Sequence, residues 1–379
     1  HPQPPLSNTG PCVFSGVNPL LGFANFLLLA LFAAAVFDLI FALARGGGLR
    51  GALHGLWNTP HLLFGQQLAE WRLQLGRILF AAGLAAYEIS VVFCNSMARQ
   101  NWAWVQGVMS PVLEWLAFLC FGAKILFGTR YTWRELLAGG ALYFIARWVY
   151  FNSQNIWWIG IVVAVLAAKD VSLRRPLQVY FASGCAAMAV VLALHFAGIV
   201  APDLTSERMG ALRGTYGYGH PNTFGGLVFG LVLAYALLRA QKVRWVDCLL
   251  VFAVGVFLLV GPASRSAALC TLALAVGLVF CRLRAGHSVP RWWPGTCAGM
   301  VGLTAAVSYL LPLLVIKVGP WNNDIGPAWL AKLDSLLTCR ISLTWMAYRL
   351  LDVKIAGQVF NWPTVDNSFA FALFQFGPV

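Results

Sequence analysis

The segment 213–223 reads RGTYGYGHPNT and holds the chain's densest set of chemically capable side chains. Arg213 precedes His220 by seven residues, with three glycines between them. Glycines let the backbone approach a ligand closely. Pro221 suits the first turn of a helix, so His220 is predicted to cap that helix at its positive end, which favours a neutral imidazole. Such an imidazole can accept a proton from a hydroxyl, and a purely structural cap is the equally weighted alternative.

Two further arginines lie outside the apolar runs. Arg265 ends the turn GPASR that begins at residue 261, and Arg340 opens CRISLTW from residue 339. A guanidinium is a planar donor fork that matches phosphate oxygens, so these two arginines and Arg213 would together suit a dianion such as pyrophosphate. Taken singly, Arg265 is interpreted as an interfacial arginine at lipid head groups, and Arg340 as a solvated surface charge.

Acidic residues and cysteines show no spacing that identifies a glycosidase or a metal site. Asp366, followed by Asn367, stands at the mouth of the last apolar run, which slightly favours it among the outer acids as a base or to orient a sugar hydroxyl. For each of these acids, a solvated loop acid is the preferred interpretation. None of the nine cysteines belongs to a CxxC pair. Neither a disulfide framework, a metal site nor a cofactor is predicted.

The composition is that of a membrane protein. Of 379 residues, 60% are hydrophobic and 10% charged, whereas soluble domains average about 25% charged residues. The apolar residues form continuous runs near the roughly 20 residues that span a bilayer, which favours helices over a barrel. The net charge of +13 is spread through short loops, which argues against nucleic-acid binding. The chain is therefore predicted to be an all-α, polytopic transmembrane helical bundle.

The predicted organisation has about ten to eleven spans. A transmembrane bundle is expected over residues 1–316, with an outward site at 203–223 and 261–266. A large, partly helical extracytoplasmic loop cap follows at 317–368, and 369–379 begins a final span that is truncated, so we expect a fragment. The ten apolar runs are 20–42, 75–94, 104–126, 135–151, 156–168, 178–200, 223–239, 246–263, 266–281 and 296–316.

The distribution of Lys and Arg among the loops predicts the orientation of the chain in the membrane. Sixteen of the 26 cations lie in five alternate short loops, which are therefore predicted to be cytoplasmic. The glycine-rich segment and Arg265 then face outward. Glu114 is the deepest ionisable residue in the spans and is the best argument for a proton-coupled transporter. Asp38, Glu88 and His195 lie nearer to span ends and are interpreted as interfacial.

An ordered set of motifs over residues 200–379 resembles the bacterial polysaccharide polymerases of the Wzy and O-antigen ligase superfamily. The version with GYGHPN is similar to exopolysaccharide and capsule polymerases of Gram-positive bacteria. The elements that match are Arg213, 217–226 (GYGHPNTFGG), 264–266 (SRS), Arg340 and 366–368 (DNS).

This resemblance implies a glycosyltransferase in the cytoplasmic membrane that joins undecaprenyl-pyrophosphate-linked oligosaccharide repeat units at the outer face. It implies no metal and no nucleotide sugar, and a chain-length regulator and a flippase are candidate partners. An O-antigen-type ligase and a transporter or flippase of lipid-linked sugars are the alternatives. The implied catalytic residues are Arg213, Arg265 and Arg340 on the pyrophosphate and His220 on the acceptor hydroxyl or the carrier; the implied substrate-binding residues are Gly217, Gly219, Asn222, Asp366 and Asn367.

Overall fold

The structure is a computed structural model that describes most of the chain. The described residues are 19–44, 48–63, 69–200, 206–208, 211–284, 293–310, 313, 327–336, 340–350, 353–359 and 375.

Helices dominate these residues, and each of the ten predicted spans overlaps one of them. The helices are α1 (Pro19–Ala44), α2 (Gly48–Asn58), α3 (Ala69–Cys94), α4 (Ala98–Asn101), α5 (Ser110–Phe127, after a π-helical turn Val105–Met109), α6 (Trp133–Ser153), α7 (Trp157–Ala168), α8 (Arg174–Phe196), α9 (Pro221–Arg239), α10 (Trp245–Val260), α11 (Arg265–Leu283), α12 (Trp293–Leu310), α13 (Ala328–Leu336) and α14 (Arg340–Leu350).

The predicted all-α membrane architecture is confirmed, whereas the predicted ten to eleven spans are not. Within the described ranges, six helices are long and apolar enough to cross a bilayer: α1, α3, α5 with its π-helical turn, α8, α9 and α11. The helices α7 and α10 are apolar but have only 12 and 16 residues. At about 1.5 Å per residue they fall short of a hydrocarbon core of about 30 Å. Three charged residues lie along α6: Arg134, Glu135 and Arg147.

Two short antiparallel ladders lie in the connections between helices. β1 (His61–Leu62) pairs with β2 (Arg130–Tyr131), with His61 opposite Tyr131. β3 (Ser206–Arg208) pairs with β4 (Ala211–Arg213), with Ser206 opposite Arg213. Both ladders lie outside the six long apolar helices, so the spans themselves are helical, as backbone hydrogen bonding in lipid requires.

The chain divides into two compact units. Among the described residues, the larger unit comprises those within 19–138 and 163–284, and the smaller comprises those within 139–162 and 293–375. In the larger unit, neighbouring helices pack side by side in the order α5, α3, α8, α9, α11 and α10. A buried core between α3, α8, α9 and α11 contains Val92, Val191, Tyr218, Phe224 and Ala268.

Connections in the larger unit gather at two ends of its helices. At the C-terminal end of α3, the Met97 N–H donates to the Gly217 carbonyl at 2.8 Å. At the N-terminal end of α3, Arg72 Nε donates to the Phe127 carbonyl at 2.8 Å. At this same end of the helices, Lys124 Nζ donates to the Lys169 carbonyl at 2.7 Å. These contacts agree with the alternation of loops along the chain, and the assignment of one end to the cytoplasm stays a prediction.

In the smaller unit, α13 and α14 account for the helical part expected within 317–368. The Asp334 carboxylate of α13 accepts the Ile341 N–H at 2.8 Å, the Ser342 N–H at 3.2 Å and the Ser342 hydroxyl at 2.8 Å. A carboxylate that accepts the first N–H groups of a helix stabilises its N-terminus. Asp334 therefore fixes the corner between the two helices.

Candidate functional site

Arg213 ends β4, and its side chain is buried, with 5% of its surface exposed. Its Nε donates to the Pro262 carbonyl at 3.3 Å, and its Nη2 donates to the Ala263 carbonyl at 3.1 Å. The same Nη2 donates to Asn222 Oδ1 at 3.1 Å. One guanidinium therefore ties the β3–β4 hairpin to the turn before α11 and to the first turn of α9.

The backbone between Arg213 and α9 makes a tight turn that requires glycine at one position. Tyr218 N–H donates to the Thr215 carbonyl at 3.0 Å. Gly217 has a φ of 81°, in the left-handed region that favours glycine, and a Cβ there would lie 3.0 Å from His195 Cβ. At Gly219 a Cβ would meet only Gln100, at 3.8 Å, so that position has no comparable steric need.

Tyr216 is a non-glycine residue in the left-handed region, with a φ of 52°. Its ring stacks on Phe224 with centroids 5.0 Å apart and packs against Phe257 at 5.6 Å. Its hydroxyl occupies space that Gly261 leaves open, since a Cβ at Gly261 would lie 2.6 Å from it. A left-handed non-glycine residue costs about 1–3 kcal/mol, and aromatic pairs contribute about 0.5–1.5 kcal/mol each. The aromatic packing therefore offsets much of this strain.

The turn 261–264 faces Arg213 because of its own unusual backbone. Ala263 has a φ of 48°, and its carbonyl is one of the two that accept from Arg213. Ser264 is buried, with 1% exposed, and is the N-cap residue of α11. Ser264 Oγ donates to Asn222 Oδ1 at 3.3 Å. The N-termini of α9 and α11 thus lie side by side.

His220 caps α9, as the sequence predicted. Its backbone is extended, with φ −153° and ψ 141°, and its Nδ1 accepts the Asn222 N–H at 3.1 Å. An Nδ1 that accepts a hydrogen bond has no proton, so the neutral imidazole carries its proton on Nε2. While this cap bond is made, His220 can donate a hydrogen bond from Nε2 but cannot accept a proton there.

Arg265 is the first residue of α11, and its side chain is exposed. No residue in the described ranges forms a hydrogen bond or ion pair with its guanidinium. Each helix N-terminus acts as roughly +0.5 of a charge. Two such termini, the buried Arg213 side chain and the exposed Arg265 fork all place positive charge at this end of the larger unit. The arrangement is chemically suited to an anion with several oxygens.

Some of the sequence-predicted residues come together here, whereas three others lie outside what the structure describes. Arg213, His220, Asn222 and the turn that leads into Arg265 form one contiguous group. Arg340 is the first residue of α14 in the smaller unit, and its side chain lies outside the description. Asp366 and Asn367 lie outside the described residues.

The burial of two polar residues, Tyr218 and Glu88, was not predicted from the sequence. Tyr218 is fully buried; this burial, and then the Glu88 carboxyl, raise the pKa of Tyr218 above the usual tyrosine value. Glu88 was interpreted as interfacial, yet only 5% of it is exposed in the described structure. In the sequence, the only sign that the Tyr218 side chain points inward is its position directly after Gly217, the left-handed residue of the turn. Nothing in the sequence pairs it with α3.

A second polar cluster lies between α3 and α5. Cys94 Sγ contacts Ser110 Oγ at 2.9 Å, and that hydroxyl donates to the Val105 carbonyl at 2.9 Å. Ser110 directly follows the π-helical turn, a feature that is frequent at functional sites. Glu114 lies one turn further along α5, and the Ser90 hydroxyl of α3 donates to the Ser110 carbonyl at 3.4 Å. The deep carboxyl singled out in the sequence thus lies next to a hydrogen-bonded contact between two helices.

No protein-family model matches the chain, and neither a curated protein nor a solved structure matches it. Among the described residues, no group of three or more His, Cys, Asp or Glu side chains is placed to hold a metal ion. The resemblance to polysaccharide polymerases therefore rests on the sequence motifs alone.

Proposed function

We propose that this chain is a membrane polysaccharide polymerase that joins undecaprenyl-pyrophosphate-linked oligosaccharide repeat units at the outer face of the cytoplasmic membrane. The observation that supports this most strongly is the convergence of two helix N-termini, a buried guanidinium and an exposed guanidinium around Asn222. Arg213 donates to the carbonyls of Pro262 and Ala263 and to Asn222 Oδ1, and these bonds hold the group together.

In this reaction a sugar hydroxyl of the incoming unit attacks the anomeric carbon of the growing chain. A new C–O bond forms while the C–O bond to the pyrophosphate breaks, and the carrier leaves with both electrons. Negative charge develops on the leaving phosphate oxygen, where fixed dipoles and cations are most effective. Arg265 suits direct, forked hydrogen bonds to that phosphate. Arg213 acts mainly by its charge and by holding the turn 261–264 against α9.

The capped state of His220 favours one of its two expected roles. With its proton on Nε2, the imidazole can donate to a phosphate oxygen and so position the carrier. It cannot remove the acceptor proton unless the bond to the Asn222 N–H breaks first. We therefore propose that His220 orients the pyrophosphate and that another base takes the hydroxyl proton.

The test is reconstitution of the full chain in liposomes with defined lipid-linked repeats in the outer leaflet, followed by gel separation of the glycans. A ladder of longer glycans with release of the pyrophosphate carrier supports the proposal. Transfer of preformed glycan to a different acceptor, without a ladder, supports the ligase alternative, which would use the same site. If the wild-type protein forms neither product, both enzyme proposals are excluded.

A transporter is the second candidate, because two carboxyl-bearing residues lie within spans. Glu88 is buried, forms no ion pair with any described residue, and lies on α3 across from α8. Glu114 lies on α5, which packs against α3. Intramembrane carboxyl groups are costly and are a frequent sign of proton-linked transport. Lipid-linked sugar that crosses the bilayer only under a proton gradient, and not in Glu114→Gln, would favour this function.

A further inference from the structure

The connection 95–104, between α3 and the π-helical turn before α5, is fastened to the glycine-rich segment. Its Met97 N–H donates to the Gly217 carbonyl at 2.8 Å. Ser96 forms an antiparallel bridge with Tyr218. These two contacts hold the connection directly beside the segment that leads into α9, so its exposed side chains flank the candidate site.

Two exposed amides of this connection lie on the side of the candidate site. Gln100 Nε2 lies 3.8 Å from the position of a Cβ at Gly219, and Gly219 directly precedes the exposed His220. Gln100 and Asn101 are both exposed, and no described residue forms a hydrogen bond with either side-chain amide. Each amide offers an acceptor oxygen and two donor hydrogens. This combination matches the hydroxyl groups of a sugar, because each hydroxyl both donates and accepts.

Two indole rings follow these amides in the chain. Trp102 and Trp104 stack with centroids 6.2 Å apart and an angle of 18° between their planes. Trp102 packs against the buried residues Met97, Ala98 and Val200, whereas 55% of Trp104 is exposed. A tryptophan supplies a large, rigid and amphipathic contact surface at low cost in conformational entropy. Trp104 therefore presents an aromatic surface on which the C–H face of a sugar ring can pack.

Backbone hydrogen bonds fix the positions of both indoles. The Trp102 N–H donates to the Ala98 carbonyl at 2.9 Å, and the Val105 N–H donates to the Trp102 carbonyl at 2.9 Å. Trp104 directly precedes the π-helical turn Val105–Met109, a kind of turn that is frequent at functional sites. The aromatic surface is thus held in place before any ligand arrives, which lowers the entropic cost of binding.

We propose that Gln100, Asn101 and Trp104 bind the sugar rings of a lipid-linked repeat unit beside the pyrophosphate site. The expectation of a glycan at this place rests on the proposed function. Tryptophans at span ends also serve as lipid anchors, but a lipid anchor has no use for two exposed amides on the side of His220. The three residues are substrate-binding residues and take no part in the bond that breaks.

The binding test uses the oligosaccharide released by mild acid from the lipid-linked fraction of the cells that make this protein. This probe carries neither pyrophosphate nor polyprenol. Saturation-transfer NMR titration of the full chain in lipid nanodiscs should detect its binding to the wild type. Trp104→Ala should weaken that binding at least about tenfold, as loss of an aromatic anchor commonly does. Trp104→Phe keeps an aromatic ring and should retain most of the affinity.

Trp245→Ala is the matched control. Trp245 is 56% exposed, much like Trp104, but it is the first residue of α10, at the other end of α9 from His220. This variant should bind the oligosaccharide like the wild type. Equal losses in Trp104→Ala and Trp245→Ala would show a general effect of exposed tryptophans at the lipid interface and would overturn the proposal.

The amides and the kinetics supply a second measurement. Gln100→Ala and Asn101→Ala should each weaken binding about two- to tenfold, the effect of one hydrogen bond. In glycan ladder formation, Trp104→Ala should raise the KM for the repeat unit at least about tenfold and change kcat less than about twofold, because it removes uniform binding.

Two results would overturn the proposal even if the wild type forms a ladder. One is the absence of oligosaccharide binding to the wild type, and the other is unchanged binding in Trp104→Ala. Binding that depends on Trp104 in a protein that forms no ladder would have a different meaning. It would leave the sugar site in place and exclude the proposed polymerase activity, so the two failures are distinguishable.

Discussion

Asn222 accepts a hydrogen bond from Ser264 at 3.3 Å, and this contact joins the first turn of α9 to the N-cap residue of α11. The same oxygen of Asn222 accepts from Arg213 at 3.1 Å. A single amide oxygen thus holds two helix N-termini and a buried cation together. The positive character of the site follows from this arrangement as much as from the number of its arginines.

Asn222→Ala should destabilise the protein more than Ser264→Ala. The Asn222 change leaves two donors without their acceptor and costs about 1–3 kcal/mol, whereas loss of the serine hydroxyl costs about 0.5–1.5 kcal/mol. The double variant should be less destabilised than the sum of the two, because the residues share one bond. Thermal unfolding in detergent measures these differences.

The matched control for Asn222→Ala is Asn152→Ala, since Asn152 is exposed and bonds only locally, to the Trp148 carbonyl. A change there should stay within about 0.5 kcal/mol. Equal destabilisation at both positions would contradict a special role for the Asn222–Ser264 contact.

His220→Asn and His220→Ala separate the capping role of the histidine from a role in chemistry. Asparagine is a good N-cap, so His220→Asn should unfold within about 0.5 kcal/mol of the wild type, whereas His220→Ala should lose about 0.5–2 kcal/mol. If the imidazole donates to the carrier, both variants should lose most glycan ladder formation. A full ladder from His220→Asn would show that the residue is only a cap.

The start of α9 could be predicted from the sequence because its signals are local. Pro221 has a fixed φ and no N–H to satisfy, so the helix begins at Pro221 with His220 as its cap. The apolar runs likewise located the spanning helices, since hydrocarbon tolerates little else. The span count was less predictable, because α7 and α10 are apolar without being long enough.

The burial of Arg213 could not be predicted from the sequence in the same way. The Arg213 side chain points inward because it bonds to the Ala263 carbonyl, among others. No local sequence pattern predicts the left-handed backbone of Ala263. An arginine in a loop is usually expected to face water. The burial of Tyr218 depends on how α3, α8, α9 and α11 pack around it, and helix packing is a tertiary property that one sequence does not reveal.

Gly261→Ala should destabilise the turn that faces Arg213. The added Cβ would lie 2.6 Å from the Tyr216 hydroxyl and 3.0 Å from the Phe257 ring, so the aromatic packing must shift. Overpacking of this kind costs about 1–3 kcal/mol. Adding Tyr216→Phe should recover part of the loss, because it removes the nearer of the two atoms. Thermal unfolding of the single and double variants checks both expectations.

Gly277→Ala is the control for Gly261→Ala. Gly277 lies inside α11, and a Cβ there would meet nothing within 4 Å. Alanine is favoured over glycine inside a helix by about 0.5–1 kcal/mol, so this variant should be as stable as the wild type or more stable. Similar losses at Gly261 and Gly277 would argue against the proposed clash.

Tyr218→Phe should change how stability depends on pH. Burial and then the Glu88 carboxyl raise the pKa of Tyr218 in the folded state, whereas the unfolded tyrosine ionises at about 10. The unfolded state therefore releases a proton first, and the stability associated with a neutral Tyr218 is present below about pH 10 and lost as pH rises further. Melting temperatures of wild type and variant should keep a constant difference below that point. The wild type should then fall relative to the variant above it; a constant difference throughout would contradict the raised pKa.

Arg213→Lys and Arg265→Lys should fail in different ways, although both replace an arginine at the same site. Lysine cannot reproduce the three directed bonds of buried Arg213, so Arg213→Lys should lose about 1–3 kcal/mol of stability and glycan ladder formation with it. Arg265 is exposed and has no described partner, so Arg265→Lys should unfold like the wild type while ladder formation falls at least about tenfold, because the forked phosphate contact is lost. Arg282→Lys, an equally exposed position at the other end of α11, should change neither property. Normal ladders from Arg265→Lys would remove that residue from the phosphate site, whereas normal stability in Arg213→Lys would contradict the structural role of the buried guanidinium.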